Sequence, residues 1–123
     1  MVAKTLRFPA AAGVLLALAA VAPPVLASGG DAATQAGAAI YRRHCAACHG
    51  EKGDARSRAR QALASPPRDF TAPDVRRELT REYMIVIVRE GRPHKAMVGR
   101  KARLSEEQIE SVVDYIRAAF MPP

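Results

Sequence analysis

The chain has 123 residues, 19 Lys and Arg against 12 Asp and Glu, two cysteines and no tryptophan. That length predicts a single ordinary domain. A net charge of +7 raises the question of nucleic acid, which is set aside: aromatics are not interleaved with the basic residues, and the chain opens on an export signal.

The opening MVAKTLRF carries Lys4 and Arg7 and no acid, and an apolar run rich in Ala and Leu follows. This is the layout of a secretory signal. Val25-Leu26-Ala27 places small residues for cleavage after Ala27, so residues 1–27 are predicted to leave. Pro23-Pro24 interrupts the run, which argues against a lasting transmembrane anchor of about 20 apolar residues. The mature domain, 28–123, then carries 17 basic residues against 12 acidic, net +5, and is predicted to work in the periplasm. A domain this small buries a modest fraction of its surface, and a large apolar cofactor would supply the missing core.

Ser28 to Ala33 reads as a mobile lead-in of small residues. From Thr34, QAGAAIYRRHCAACH predicts one helix, with Gly37, Ile40, Tyr41, Cys45 and Cys48 on one side at steps of three and four. Gly50 and Gly53 end it. EKGDARSRARQALASPPRDF is polar and basic and predicts a loop with one irregular turn. Thr71 and Pro73 suit the start of a short helix, PDVRREL. Thr80 caps the next, REYMIVIVRE, which Gly91 and Pro93 end. MIVIV alone would suit a strand, but the cap, the following glycine and the length favour a helix. In the last helix Ser105 and Gln108 form a capping box, and Ile109, Val112, Val113, Ile116 and Phe120 form an apolar stripe. The predicted fold class is all-α.

Both cysteines and two of the three histidines lie in HCAACHG, His44 to Gly50. A disulfide between cysteines three apart would close too small a loop to stabilise much. A redox dithiol belongs beside a βαβ pattern, which is missing here. Zinc from Cys45, Cys48, His49 and either His44 or His94 matches no common module. The remaining reading is C-x-x-C-H, the attachment motif of c-type haem. On a helix Cys45, Cys48 and His49 share a face. Two thiols there can add to the two vinyl groups of a porphyrin, with His49 as proximal ligand of the iron.

A second strong ligand would close the iron and favour electron transfer over gas or peroxide binding. Met84 lies on the apolar face of its helix as core filler, and Met121 sits at a frayed end. Met97, in an aperiodic segment ahead of the last helix, is the leading candidate; His94 is its rival. A thioether raises the reduction potential and a second imidazole lowers it.

With these residues in view, the mature chain resembles a small bacterial-type class I cytochrome c, with matches from Gly37 to Phe120. Gly37 and Tyr41 stand eight and four residues before Cys45, as in that family's first helix. CAACHG resembles the haem anchor, GRPHKAM the loop with the distal methionine, and LSEEQIESVVDYIRAAF the last helix. The resemblance implies first and last helices crossing over one covalently bound haem c, closely at Gly37 and beside Tyr115. It also implies a proline whose carbonyl accepts the proximal histidine's ring N–H: Pro67, with Pro66 as the alternative. Many relatives follow the methionine with proline and an aromatic. Here Val98-Gly99-Arg100 follows, which implies a looser ligand loop.

Arg92, Lys95, Arg100, Lys101 and Arg103 cluster around Met97. As a group they predict a docking rim for an acidic redox protein or a membrane oxidoreductase complex. The leading function is an exported mono-haem electron carrier with no substrate chemistry of its own and no membrane span after cleavage. The alternatives are a haem subunit held in a larger oxidoreductase and a five-coordinate haem sensor or enzyme.

Overall fold

In the computed structural model, which describes residues 29–123, helix α1 runs over Gly29–His44 and the four-residue α2 over Ala46–His49. A turn of 3₁₀ helix follows at Ala59–Ala62, then α3 at Val75–Glu78, α4 at Arg81–Glu90 and α5 at Glu106–Ala119. Among the described residues there is no strand, only an isolated bridge between Gly91 and Val98. The all-α expectation holds. The predicted signal, residues 1–27, lies outside the described residues.

Helix α1 begins five residues earlier than predicted. Ala32 and Ala33 are strong helix formers. The Thr34 hydroxyl donates to the Gly30 carbonyl at 2.8 Å, and Ser111 of α5 donates to the Ala33 carbonyl at 2.9 Å. The supposed lead-in is therefore helical from Gly29 and tied down at Gly30 and Ala33. The single helix expected through to His49 is divided at Cys45, whose φ of −124° leaves the helical region. Hydrogen bonds still carry the spiral across: Cys45 N–H to the Tyr41 carbonyl and His49 N–H to the Cys45 carbonyl, both 2.9 Å.

Helices α1 and α5 cross at Gly37. A Cβ there would stand 2.3 Å from the Ser111 carbonyl oxygen and 2.7 Å from the Tyr115 Cβ. One turn on, Tyr41 is buried, its ring 4.9 Å from Phe120 and 5.8 Å from Tyr115. Burial raises its hydroxyl well above the usual phenol range. That proton donates to the Gly50 carbonyl at 2.7 Å, which fixes the chain where it leaves α2.

Helix α5 starts on the predicted capping box: Gln108 N–H donates to the Ser105 hydroxyl at 3.3 Å, and Ser105 N–H donates to Gln108 Oε1 at 2.9 Å. Its stripe of Ile109, Val112, Val113 and Ile116 is fully enclosed. Helix α4 is capped by Thr80, whose hydroxyl accepts from Tyr83 N–H at 3.2 Å, and buries Met84 and Val88. Arg81 joins α4 to α5 through Asp114 at 2.6 Å and Glu110 at 3.0 Å. Such exposed pairs are individually weak, so the apolar face between the helices carries most of the packing.

The C-terminal end is not frayed, contrary to expectation. Met121 is buried, and Arg76 donates to the Arg117 carbonyl at 2.8 Å, satisfying the end of α5 with a cation where the helix dipole favours one.

Candidate functional site

Helix α2 is held at both ends, by the Cys45 N–H on the Tyr41 carbonyl and by Tyr41's own hydroxyl on the Gly50 carbonyl. It presents Cys45, Cys48 and His49 to one cavity of about 330 Å³, in the range of small-molecule and cofactor sites. Leu63, Pro66, Pro67 and Phe70 of the long loop, the inner face of α4 and Ala96 and Met97 complete its lining. Arg68, Arg92, Lys95 and Arg100 add positive charge at the cavity.

The two cysteines are half-buried and unbridged. Burial pushes the Cys45 thiol up to about 11, an effect that nearby Arg100 opposes. A thiol raised in this way is not activated as a redox nucleophile.

His49 is held on an edge and a face. Its Nδ1 stands 3.2 Å from the Arg68 carbonyl oxygen. A carbonyl only accepts, so Nδ1 carries the hydrogen and Nε2 presents its lone pair. Burial lowers the pKa of the ring, with the Arg68 carbonyl acting the other way. The neutral imidazole is the form that ligates a metal. Phe70 stacks on the ring, centroids 4.6 Å apart and planes 11° from parallel.

Here the expected second-sphere contact needs correction. Pro67 lines the cavity, but the carbonyl at the histidine belongs to Arg68, one residue later. The segment is pinned just there: the Arg68 guanidinium pairs with Glu78 of α3, and Phe70 N–H donates to the Gly53 carbonyl at 2.8 Å.

Met97 is half-buried on the cavity wall, and Met84 lines it too. His94 is exposed, outside that lining, in the left-handed region with φ of +58°. The Met97 loop is not loose. Arg92 N–H donates to the Met97 carbonyl at 2.9 Å and Arg100 N–H to the Val88 carbonyl at 2.8 Å. A Cβ on Gly99 would stand 2.5 Å from the Arg89 carbonyl oxygen, so the returning chain lies directly on the end of α4. Arg100 also donates to the His44 carbonyl at 3.1 Å, joining the loop to the end of α1.

The group that fits is a porphyrin bonded through two thiols. The cavity is mainly apolar, and two thiols, a neutral imidazole and a soft thioether line it together. Phe70 and Arg68 are site residues that sequence reading missed, and Arg100, read there only as part of the docking rim, also lines the cavity and reaches the His44 carbonyl. The only signal for them was their nearness to Pro67 and Met97.

The comparisons agree with that chemistry. Residues 32–116 match the family described as "Cytochrome C oxidase, cbb3-type, subunit III". The chain belongs to that family. Its fold is similar to the KustC0563 c-type cytochrome, at 27% identity and a TM-score of 0.60 over 70% of this chain and 98% of that one. It is also similar to a chain of the Kuenenia stuttgartiensis reducing HAO-like protein complex Kustc0457/Kustc0458, at 27% identity and a TM-score of 0.58, covering 68% of this chain and 41% of the other. A third likeness is to the dihydro-heme d1 dehydrogenase NirN, at 27% identity and a TM-score of 0.54, over 72% of this chain but 16% of that enzyme. Comparison with curated proteins returns no match. This is a c-type cytochrome domain, with one haem c bound covalently through Cys45 and Cys48.

Proposed function

We propose that the protein is an exported carrier of single electrons whose haem iron is ligated by His49 and Met97. The observation that supports it is a single cavity lined by Cys45, Cys48 and His49 from one side of the sequence and by Met97 from another, with His94 outside. Bound there, haem c supplies a one-electron Fe(III)/Fe(II) couple. The chain does the rest. The Arg68 carbonyl keeps the His49 proton on Nδ1 and raises the basicity of Nε2. The Met97 thioether favours the reduced state, and the apolar lining limits water and so reorganisation. No substrate chemistry is required of any side chain. Cleavage after Ala27 delivers the domain to the periplasm.

Arg92, Lys95 and Arg103 are exposed and carry no ion pair among the described residues, whereas Lys101 pairs with Glu90 at 2.5 Å. Arg92 and Lys95, which line the cavity, form the docking rim for an acidic redox partner, whereas Arg103 lines a separate recess beside Arg43 and Gln108. The family description and the Kuenenia complex support a second reading, a haem subunit held in a larger oxidoreductase. A native protein that co-purifies with a large subunit selects that reading; a monomer selects the shuttle.

The test of ligation is the spectrum of the purified holoprotein, oxidised and reduced, with and without Met97→Ala. Loss of the sulfur-to-iron charge-transfer band in the variant is expected, together with ready carbon monoxide binding to its reduced form. A band that survives the substitution overturns Met97. Carbon monoxide binding readily to the wild-type protein overturns six-coordination altogether.

A further inference from the structure

We infer that Phe70, backed by the ion pair between Arg68 and Glu78, is the positioning residue that sets the plane of the His49 imidazole. The inference rests on His49 being an iron ligand.

An imidazole bound through Nε2 is still free to turn about the bond to the metal. One hydrogen bond from Nδ1 restrains that turn weakly, because 3.2 Å lies at the long end of the N–H to oxygen range. The face of the ring is restrained independently. Phe70 lies against it at 4.6 Å and nearly parallel, within the spacing at which aromatic pairs attract. Phe70 cannot drift in turn: it is buried, and its N–H is held on the Gly53 carbonyl. Gly53 is pressed against the Phe120 ring, where a Cβ would come within 2.6 Å. The ring plane is thus referred back, through Phe70, Gly53 and Phe120, to the end of α5. The edge contact has its own anchor, because the residue that offers the carbonyl is tied by its side chain to Glu78 on α3.

The two restraints separate experimentally. In the ferric holoprotein the spread of haem-methyl proton shifts reports the imidazole plane, and the reduction potential reports the Nδ1 hydrogen bond. Phe70→Leu keeps an apolar filler but removes the flat face, so the methyl shifts are expected to redistribute, and Phe70→Tyr to restore them. Glu78→Gln is an exposed change that leaves the core intact. It frees Arg68 and weakens the hydrogen bond, so the imidazole becomes a poorer donor to ferric iron and the potential is expected to move positive. The shift should persist at about 1 M salt, where the bare effect of losing one exposed charge is screened, and Glu78→Asp should hold the potential near wild type. A wild-type methyl pattern in folded Phe70→Leu overturns the inference. Should Phe70→Leu not fold, Glu78→Gln decides alone, and an unchanged potential and methyl pattern overturn it. Histidine labelled with ¹⁵N distinguishes the underlying reading: no hyperfine-shifted His49 ring signal in the wild type removes the ligand assignment, and the inference with it.

Discussion

Gly37 of α1 lies against the main chain of Ser111 on α5, so close that a single added carbon would stand 2.3 Å from the carbonyl oxygen. The neighbour is helix backbone and cannot swing aside. This approach sets the separation of the two longest helices, and with it the place where α1 delivers Cys45, Cys48 and His49.

Gly37→Ala therefore combines opposing effects. Alanine improves helix propensity by about 1 kcal/mol, while overpacking typically costs 1–3 kcal/mol and here sits at the upper end because the contact is to backbone. A net loss of about 2 kcal/mol is expected. In a domain of this size that lowers the melting temperature by roughly 10 °C. Thermal unfolding of the holoprotein checks it, and an unchanged midpoint would mean the helices are not in contact at this position.

Tyr41→Phe probes the next turn. The variant leaves the tilted ring contact with Phe120 and removes the hydroxyl that donates to the Gly50 carbonyl. That carbonyl keeps one other donor, Gly53 N–H at 3.2 Å, so the loss should be about 1 kcal/mol rather than the 2–3 kcal/mol of a fully orphaned acceptor. Denaturant unfolding with an unchanged slope and a lower midpoint is the expected result.

These two positions were legible in the sequence because they stand eight and four residues before Cys45, as in the family that the chain resembles. The same holds for the capping box of α5, whose partners Ser105 and Gln108 are three apart. The contacts that escaped are of another kind. The Arg68 carbonyl at His49, the face of Phe70 on that ring and the seat of Gly99 on the end of α4 join residues about 10 to 20 positions apart. Two of the three use main-chain atoms, which residue identity does not mark. Pro67 was a near miss for this reason: composition located the segment, but only the folded backbone decides which carbonyl turns inward. Met121 escaped because it joins the core beyond the end of α5, where no helical period marks a buried position.

The Met97 loop supplies a third prediction. Its return rests on Gly99, where a β-branched side chain would collide with the Arg89 and Glu90 main chain at 2.5–2.8 Å. Gly99→Val should lift the loop from α4 without touching the Cys45 and Cys48 thioethers. Carbon monoxide should then bind the reduced variant at least tenfold faster than the wild type, while denaturing gels still show haem on the polypeptide. Equal rates would mean that the loop holds Met97 without this contact.

The basic rim supplies the last. Arg92 and Lys95 are exposed at the cavity and unpaired among the described residues, whereas Lys101 already answers Glu90. A long-range field speeds encounter by tenfold or more when charges are free to act. Arg92→Glu/Lys95→Glu should therefore slow electron transfer with an acidic partner by at least about tenfold at low ionic strength. Lys101→Glu should do less, because the residue it replaces is partly neutralised. At about 1 M salt the screening length falls to about 3 Å, and all three proteins should converge. Stopped-flow rates across a salt series measure this directly. A wild-type rate indifferent to salt would place the docking face elsewhere, since a field that salt cannot weaken is not what brings the partners together.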